Sequence, residues 1–209
     1  MSSKFSVFSI SGGTASGKTT LARDLCACAI EFGLSSSCIS LDNFYKRFDM
    51  PLEERRLINF DHPDSFDIDL LISCLSELCQ SGKTAMPVYD FTIHNRTESL
   101  IELSKPHLLI VEGILTLHFS ELRELYSYNI FVDTSNSLRL ERKLIRDVSE
   151  RKRTKEYALN QWHTYSQPMF EKYCLPSSKH ADLVFSGECW TQDDVKKILL
   201  DYYSIYKYC

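Results

Sequence analysis

Short apolar runs alternate along the chain with stretches whose apolar residues recur every three or four positions. Phe5, Val7, Phe8 and Ile10, spaced by serines, predict a strand over Phe5–Ser11. Leu21, Ala22, Leu25 and Ala29 follow at helical spacing and predict a helix to about Phe32. Ser37–Leu41 predicts a second strand. Leu71, Cys74, Leu75 and Leu78 predict a helix over Asp67–Gln80, with Gly82 just beyond as its stop. His107–Val111 and Asn129–Asp133 predict further strands, and Ser137–Ser149 and Lys155–Tyr173 predict helices. A short strand over Asp182–Phe185 and a closing helix over Gln192–Tyr206 complete the pattern. Strands alternating with helices imply an α/β protein whose mostly parallel sheet is covered on both faces. Ligands of such sheets gather at the carboxyl ends of the strands.

Two segments break the rhythm. Asn43 to Phe66 is long, charged and aromatic with little period, and Pro87 to Leu103 reads as a hairpin excursion around a polar turn at His94-Asn95-Arg96. Long irregular segments in a compact domain are functional or disordered. Tyr45, Phe48, Phe60, Tyr89 and Phe91 make these two too aromatic for disorder, so both are expected to wall a substrate pocket.

A length of 209 residues, 44% of them hydrophobic, suffices for one domain with a sizeable core, or one domain with an elaborated lid. A net charge of -4 supplies no general attraction to nucleic acid or an anionic membrane. No run reaches the length of a membrane span, and Met-Ser-Ser-Lys-Phe-Ser lacks the apolar core of a signal peptide, so a soluble, cytoplasmic protein is expected. The eight cysteines form no C-x-x-C pair and no zinc spacing. Free thiols, several buried as at Cys26 and Cys74, fit a reducing compartment, whereas the terminal Cys209 is open to oxidation.

The strongest chemical signal is Gly12-Gly13-Thr14-Ala15-Ser16-Gly17-Lys18-Thr19, which fits G-x-x-x-x-G-K-[ST] between the first strand and the first helix, with Thr20 opening that helix. Glycines let backbone N–H groups curl around phosphate oxygens, and a helix N-terminus adds partial positive charge. Lys18 is expected on the β- and γ-phosphates and Thr19 on Mg²⁺. Asp42 directly follows the second strand, at the same sheet edge, where a carboxylate can take a proton from a hydroxyl, assist a metal, or merely cap a turn. Glu112 ends the run Leu108-Leu109-Ile110-Val111, the place of a second Mg²⁺ ligand. Between Arg139 and Lys155 lie Arg139, Arg142, Lys143, Arg146, Arg151, Lys152, Arg153 and Lys155 with three acids interspersed. Such a run is a solvated helix face or, in a phosphoryl-transfer enzyme, a closing lid that neutralises transition-state charge and excludes water. Binding of nucleic acid ranks last, because no aromatic platform is interleaved with the charge.

Taken together, these blocks resemble the uridine kinase (uridine–cytidine kinase) family of P-loop kinases over nearly the whole chain. The matching stretches are GGTASGKTT at 12–20, LDNFYK at 41–46, NFDHPDSFD at 59–67, PVYDF at 87–91 with His94 and Arg96 after it, VEGIL at 111–115, FVDT at 131–134, RD-x-x-ER at 146–151, and Gln161 through Pro176. The resemblance implies a P-loop NTPase-type three-layer fold with a five-stranded parallel sheet, a β-hairpin over the nucleoside (about 87–103) and a mobile helical lid (about 143–160), all one kinase domain over 1–209. It implies transfer of a phosphoryl group from ATP or GTP, with Mg²⁺, to the 5′-hydroxyl of uridine or cytidine. By motif, Asp42 would be the general base and share the Mg²⁺ shell with Thr19 and Glu112. Asp61 would grip the ribose, Tyr89 and His94 would read the pyrimidine edge, and Phe60 and Phe91 would pack on the ring. Arg146, Arg151 and Arg153 would belong to the lid, with Arg153 and Gln161 also touching the nucleoside.

A homotetramer inhibited by end-product triphosphates is also implied. The chain departs from the family at Lys143, where an arginine is usual and where lysine lacks the planar fork. It departs again at Arg151-Lys152-Arg153 in place of Arg-Gly-Arg, and after Asp182, where Phe185 to Trp190 does not follow the family's adenine-side loop. The competing readings are another kinase of the superfamily, such as a phosphoribulokinase or pantothenate kinase, and a nucleotide-binding regulator without catalysis.

Overall fold

The computed structural model describes residues 5–206. β1 (Ser6–Ser11) leads through a loop to α1 (Lys18–Glu31), and β2 (Ser36–Ser40) follows. After the short α2 (Leu52–Arg55), α3 (Ile68–Ser81) runs into an antiparallel hairpin of β3 (Lys83–Asp90) and β4 (Asn95–Ser104). Then come β5 (Leu108–Glu112), α4 (Ser120–Arg123), β6 (Tyr128–Asp133), α5 (Asn136–Ser149) and α6 (Lys155–Gln161). β7 (Leu183–Ser186) and a C-terminal helix, Gln192–Tyr206, end the described fold.

Five strands form one sheet in the order β2-β5-β1-β6-β7, every neighbouring pair parallel. Side chains alternate across it. Phe8, Ile10, Leu108, Ile110, Ile130 and Val132 face one core with Leu21 and Leu25 of α1 and Ile198, Leu199 and Tyr202 of the last helix. Val7, Ile39, Leu109, Val111 and Phe131 face the other, with Leu71, Leu75 and Leu78 of α3 and Met86 and Tyr89 of the hairpin. Two apolar faces account for the near-continuous hydrophobic reading of the central strands. The serines of β1 are buried too and are satisfied locally: Ser9 donates to Asn129 Oδ1 at 2.8 Å, and Tyr202 donates to Ser6 Oγ at 3.0 Å.

Register decides what meets at the carboxyl edge. Ile10 and Ser40 both pair with Glu112, and Ser11 pairs with Phe131. The loop after β1, the turn after β2 and the last residue of β5 are therefore neighbours.

The expected elements are present, shifted by a residue or so at their ends, and the fold class matches the expectation. Asp67 caps α3 by accepting from the Leu70 N–H at 3.3 Å, and Gly82 closes it at φ 78°. Two departures have physical causes. The hairpin begins at Lys83 rather than Pro87, since Thr84 hides its hydroxyl by donating to Glu77 Oε2 at 2.7 Å and so occupies an inward position. The helix expected over Lys155–Tyr173 continues to Ser177 through two π-turns, Trp162–Ser166 and Phe170–Cys174. Pro168 and Pro176 follow these turns and lack the N–H for an ordinary helical bond, so the ladder widens ahead of each. The segment from 43 to 66 is ordered as turns and the short α2, with Phe44, Tyr45 and Phe66 buried and Tyr45 bridged to Phe66.

Cys26, Cys28, Cys38, Cys74, Cys79, Cys174 and Cys189 are free thiols, of which only Cys28, Cys74 and Cys174 are buried; Cys26 is half-buried, and Cys209 lies outside the described residues. Among the described residues no helix is long and apolar enough to cross a membrane.

Phe8 is fully enclosed, its ring 4.6 Å from that of Tyr202 and 5.3 Å from that of Tyr128. Phe8→Ala is expected to cost about 3–5 kcal/mol, measured as a drop in the denaturant midpoint at constant slope.

Candidate active site

The loop after β1 adopts backbone that side chains resist: φ is 148° at Gly12, 60° at Ala15 and 101° at Gly17. A Cβ on Gly13 would collide with the Arg139 guanidinium, so this position needs glycine for space. Gly17 caps α1 without any side-chain hydrogen bond, which leaves the N-terminus of the helix without a side-chain acceptor of its own. Ser16 Oγ is buried without a partner among the described residues. Lys18 is buried, and its Nζ donates to Gly13 O at 2.9 Å, curling back over the loop. Burial lowers its pKa, opposed by the charges of Glu112 and Asp42. Unfilled helical donors, an orphaned hydroxyl and a desolvated lysine together make an anion cradle.

A cleft of about 750 Å³ opens from this cradle. Thr14 through Thr20, Asp42, Phe60, Asp61, Phe91, His94, Glu112, Lys143, Arg146, Arg151, Arg153 and Gln161 all line it. Three predicted residues stand back from it. Gly12 and Gly13 contribute buried backbone behind the loop, and Tyr89 is buried against Tyr45, Phe60 and Phe91, with ring centroids 5.0, 6.1 and 5.1 Å away. Its hydroxyl has no hydrogen bond among the described residues.

Asp42 sits in the 3-10 turn Leu41–Phe44 that Ser40 caps by accepting from the Asp42 N–H at 3.3 Å. Glu112 is buried at the end of β5 and accepts from Thr19 Oγ1 at 3.2 Å. Burial pushes its carboxyl pKa up; Lys18 and hydrogen bonds from Ser40 and Thr19 oppose that push. The oxygens of Thr19, Glu112 and Asp42 are hard donors suited to Mg²⁺. No group of three or more His, Cys, Asp or Glu side chains is gathered to hold an ion alone among the described residues.

The opposite wall is built by stapling the 43–66 segment to the hairpin. Asn95 exchanges hydrogen bonds with the Phe48 backbone at 2.9 and 3.1 Å, and Arg55 Nε donates to Ile93 O at 3.0 Å. Arg96 pairs with Asp67 at 2.7 Å. His94 occupies the hairpin turn at φ 50°, its ring 5.6 Å from that of Phe60. Desolvation, then the charges of Arg153, Arg56, Arg151 and Arg55, pulls the His94 pKa down to about 4. The imidazole is therefore neutral at physiological pH and can donate from one nitrogen and accept at the other.

The basic segment also carries, inside the RD-x-x-ER block, an acid to which the sequence assigns no role. Asp147 is 0% exposed, and four cations surround its carboxylate: Lys143 at 2.5 Å, Arg146 at 3.2 Å, Arg151 at 3.7 Å and Arg153 at 3.8 Å. Burial works to raise its pKa, but Lys143, Arg146 and Arg151 outweigh it and hold the carboxyl below its ordinary value. The i−4 and i+4 spacing to Lys143 and Arg151 was the available signal.

From this hub Arg146 reaches Thr14 Oγ1 at 3.3 Å, Arg151 stacks on Phe91 at 4.5 Å, and Arg153 approaches His94 Nε2 at 3.5 Å. Lys152 takes φ 54° in the turn after α5, where the resembling family carries glycine. Arg139, at the head of the basic run, belongs to neither a solvated face nor the cleft. It is fully buried behind Gly13, stacked at 3.8 Å on Phe170, and donates to Asn136 and Gln167.

This phosphate cradle beside a strand-end acid, on a five-stranded parallel sheet and facing a basic segment, defines a P-loop kinase. The profile of the Phosphoribulokinase / Uridine kinase family matches residues 7–191, and the chain belongs to that family. A uridine kinase of Clostridium botulinum (strain Kyoto / Type A2) is 41% identical over 179 residues, covering 84% of each chain. Uridine-cytidine kinase 2-B of Danio rerio is 36% identical over 184 residues, 84% of this chain and 70% of that one. In fold the chain is similar to phosphoribulokinase from Rhodobacter spheroides, with a TM-score of 0.65 at 17% identity over 88% of this chain and 71% of that one.

Two outcomes follow from the charge arrangement. The His94 imidazole should titrate near pH 4 by NMR; a midpoint at the ordinary histidine value would mean that the arginines do not crowd it. Asp147→Asn strands Lys143 without its counter-charge and should cost the lid about 3–5 kcal/mol, read as faster tryptic cleavage and amide exchange across residues 139–155.

Proposed function

We propose that the protein transfers the γ-phosphoryl group of ATP or GTP to the 5′-hydroxyl of uridine or cytidine, giving UMP or CMP. The observation that carries this reading is that the phosphate loop, Asp42, and the rings of Phe60, Phe91 and His94 all line one cleft. The named relatives, uridine kinases at 36% and 41% identity, favour a nucleoside acceptor over a phosphoribulokinase-like one. Lys18, Asp42 and Glu112, the residues that a non-catalytic relic would be expected to lose, are all present.

In this reading the triphosphate tail fills the cradle of residues 12–20. Mg²⁺, held by Thr19, Glu112 and Asp42 together with phosphate oxygens, would offset the charge of the transferring group. Asp42 takes the proton of the 5′-hydroxyl as that oxygen attacks in line. Lys18, Arg146 and Arg151 face the charge that develops on the phosphates, and lid closure excludes water as a competing acceptor. Phe60 and Phe91 flank the pyrimidine. Neutral His94 meets the substituent at its 4-position, where a carbonyl and an amine differ in donor and acceptor sense. Asp61 accepts from the ribose hydroxyls, and Lys143, Arg153 and Gln161 complete the acceptor side. Tyr89 serves from behind, fixing the rings of Phe60 and Phe91. The reading extends to a cytoplasmic homotetramer in pyrimidine salvage, whose size sedimentation velocity measures.

The test is incubation of the purified protein with Mg²⁺-ATP or Mg²⁺-GTP and a panel of nucleosides and sugar phosphates, following diphosphate release and the monophosphate formed. Uridine and cytidine should be turned over, while ribulose 5-phosphate should not. Asp42→Asn should lower kcat by roughly 10²–10⁴ with little change in ATP affinity, the scale of a lost general base. Near-normal turnover by that variant would remove Asp42 from the role.

A further inference from the structure

The π-turn Trp162–Ser166 leaves a polar side chain in the cleft that nothing above has used. Ser166 is 7% exposed, and its hydroxyl donates to Asp61 Oδ2 at 2.8 Å. Asp61 Oδ1 carries no hydrogen bond among the described residues, and both residues line the cleft. The backbone under Asp61 is tied down independently. Its N–H donates to Asn59 Oδ1 at 3.2 Å, and Ser65 Oγ donates to Asn59 O at 2.9 Å and to His62 O at 2.7 Å.

We propose that Ser166 is a positioning residue for the acceptor sugar: it holds one oxygen of Asp61 so that the other faces the vicinal hydroxyls of a ribonucleoside. The proposal rests on the nucleoside-kinase reading and adds to it the residue that sets ribose recognition.

Helix geometry explains why Ser166 can do this. Gln161 and Ser166 are five residues apart and both line the cleft. Five residues of α-helix rotate about 500°, which would leave them roughly 140° apart on the cylinder. A π-turn closes its bonds five residues apart and brings such a pair onto one side. Pro168 removes an ordinary helical bond just beyond, so the widening that aims Ser166 is written into the chain.

The chemistry explains why a hydroxyl is placed there. Desolvation pushes the Asp61 pKa up, and the charge of Asp42 adds to it. The Ser166 hydrogen bond and the charges of Lys143 and Arg146 work the other way, toward the ionised form. Tyr45 and Arg139 are the further titratable neighbours that feel the Asp61 charge. An ionised carboxylate is acceptor-only, the form that receives two sugar hydroxyls. With one oxygen already engaged, its rotation about χ2 is lost before the substrate arrives, so less ordering is left to the moment of binding.

Steady-state kinetics of the full chain test the proposal, with uridine, 2′-deoxyuridine and 3′-deoxyuridine as acceptors and circular dichroism melts as the folding control. Ser166→Ala should raise KM for uridine about tenfold with kcat little changed, the pattern of lost uniform binding. The preference for uridine over both deoxynucleosides should narrow by a similar factor, and Ser166→Thr should restore it. In an Asp61→Asn background, Ser166→Ala should add nothing further, because the two act as one unit. An unchanged KM, an equal loss on all three nucleosides, or a loss that adds fully to that of Asp61→Asn would overturn the role of Ser166. A wild-type protein inert toward every ribonucleoside would overturn the nucleoside-kinase reading, and this proposal with it. Wild-type turnover alongside an indifferent Ser166→Ala would overturn Ser166 alone.

Discussion

Parallel pairing of β1 with β5 and of β5 with β2 is the constraint from which the site follows. Glu112 sits level with Ile10 on one side and Ser40 on the other. That register puts the phosphate loop, the buried acid and the turn carrying Asp42 at one edge. A parallel strand slipped by one residue would turn its core face to the opposite layer. Here both layers are filled with large apolar side chains, so such a slip is costly on both sides at once. The precision of the polar edge is inherited from the packing of the apolar middle.

Charge is the second theme. A cleft built to receive phosphates gathers cations that repel one another while it is empty. The basic segment meets part of this internally: one fully buried carboxylate, Asp147, orients four basic side chains and offsets one of their charges, leaving the rest for an anion. Behind the cradle Arg139 is held differently, by aromatic faces and two neutral acceptors and not by an acid. These arrangements place positive charge in low dielectric on both sides of the phosphate loop, where it acts more strongly on an anion than it would in water.

Much of this was legible in the chain. The strand–loop–helix around Gly12–Thr19, the acids Asp42 and Glu112 at strand ends, and the aromatic segments that became walls all follow from local pattern. Asp147 was legible in principle through its spacing, yet a buried acid and a solvated i,i+4 pair look the same in sequence. The burial of Arg139 and Tyr89 was not legible for a related reason. A side chain's chemistry says what it can touch, while its burial is set by elements far away in the chain, such as Phe170 behind Arg139 and Phe60 over Tyr89.

What the sequence determined by itself is therefore the class of fold, the order of its elements and the identity of the phosphate-binding loop. Periodicity, glycine placement and strand-end acids are local properties and survive reading in one dimension. Pro168 signals in the chain that the helical ladder widens, but tertiary structure alone decided the register that aligns Glu112 with its two neighbours, the burial of the carboxylate hub, and the fact that the π-turn brings Ser166 onto Asp61. Each depends on a contact between residues distant in the chain, or on a change of helical pitch that shifts every later side chain by a fraction of a turn, and neither leaves a periodic trace in the sequence.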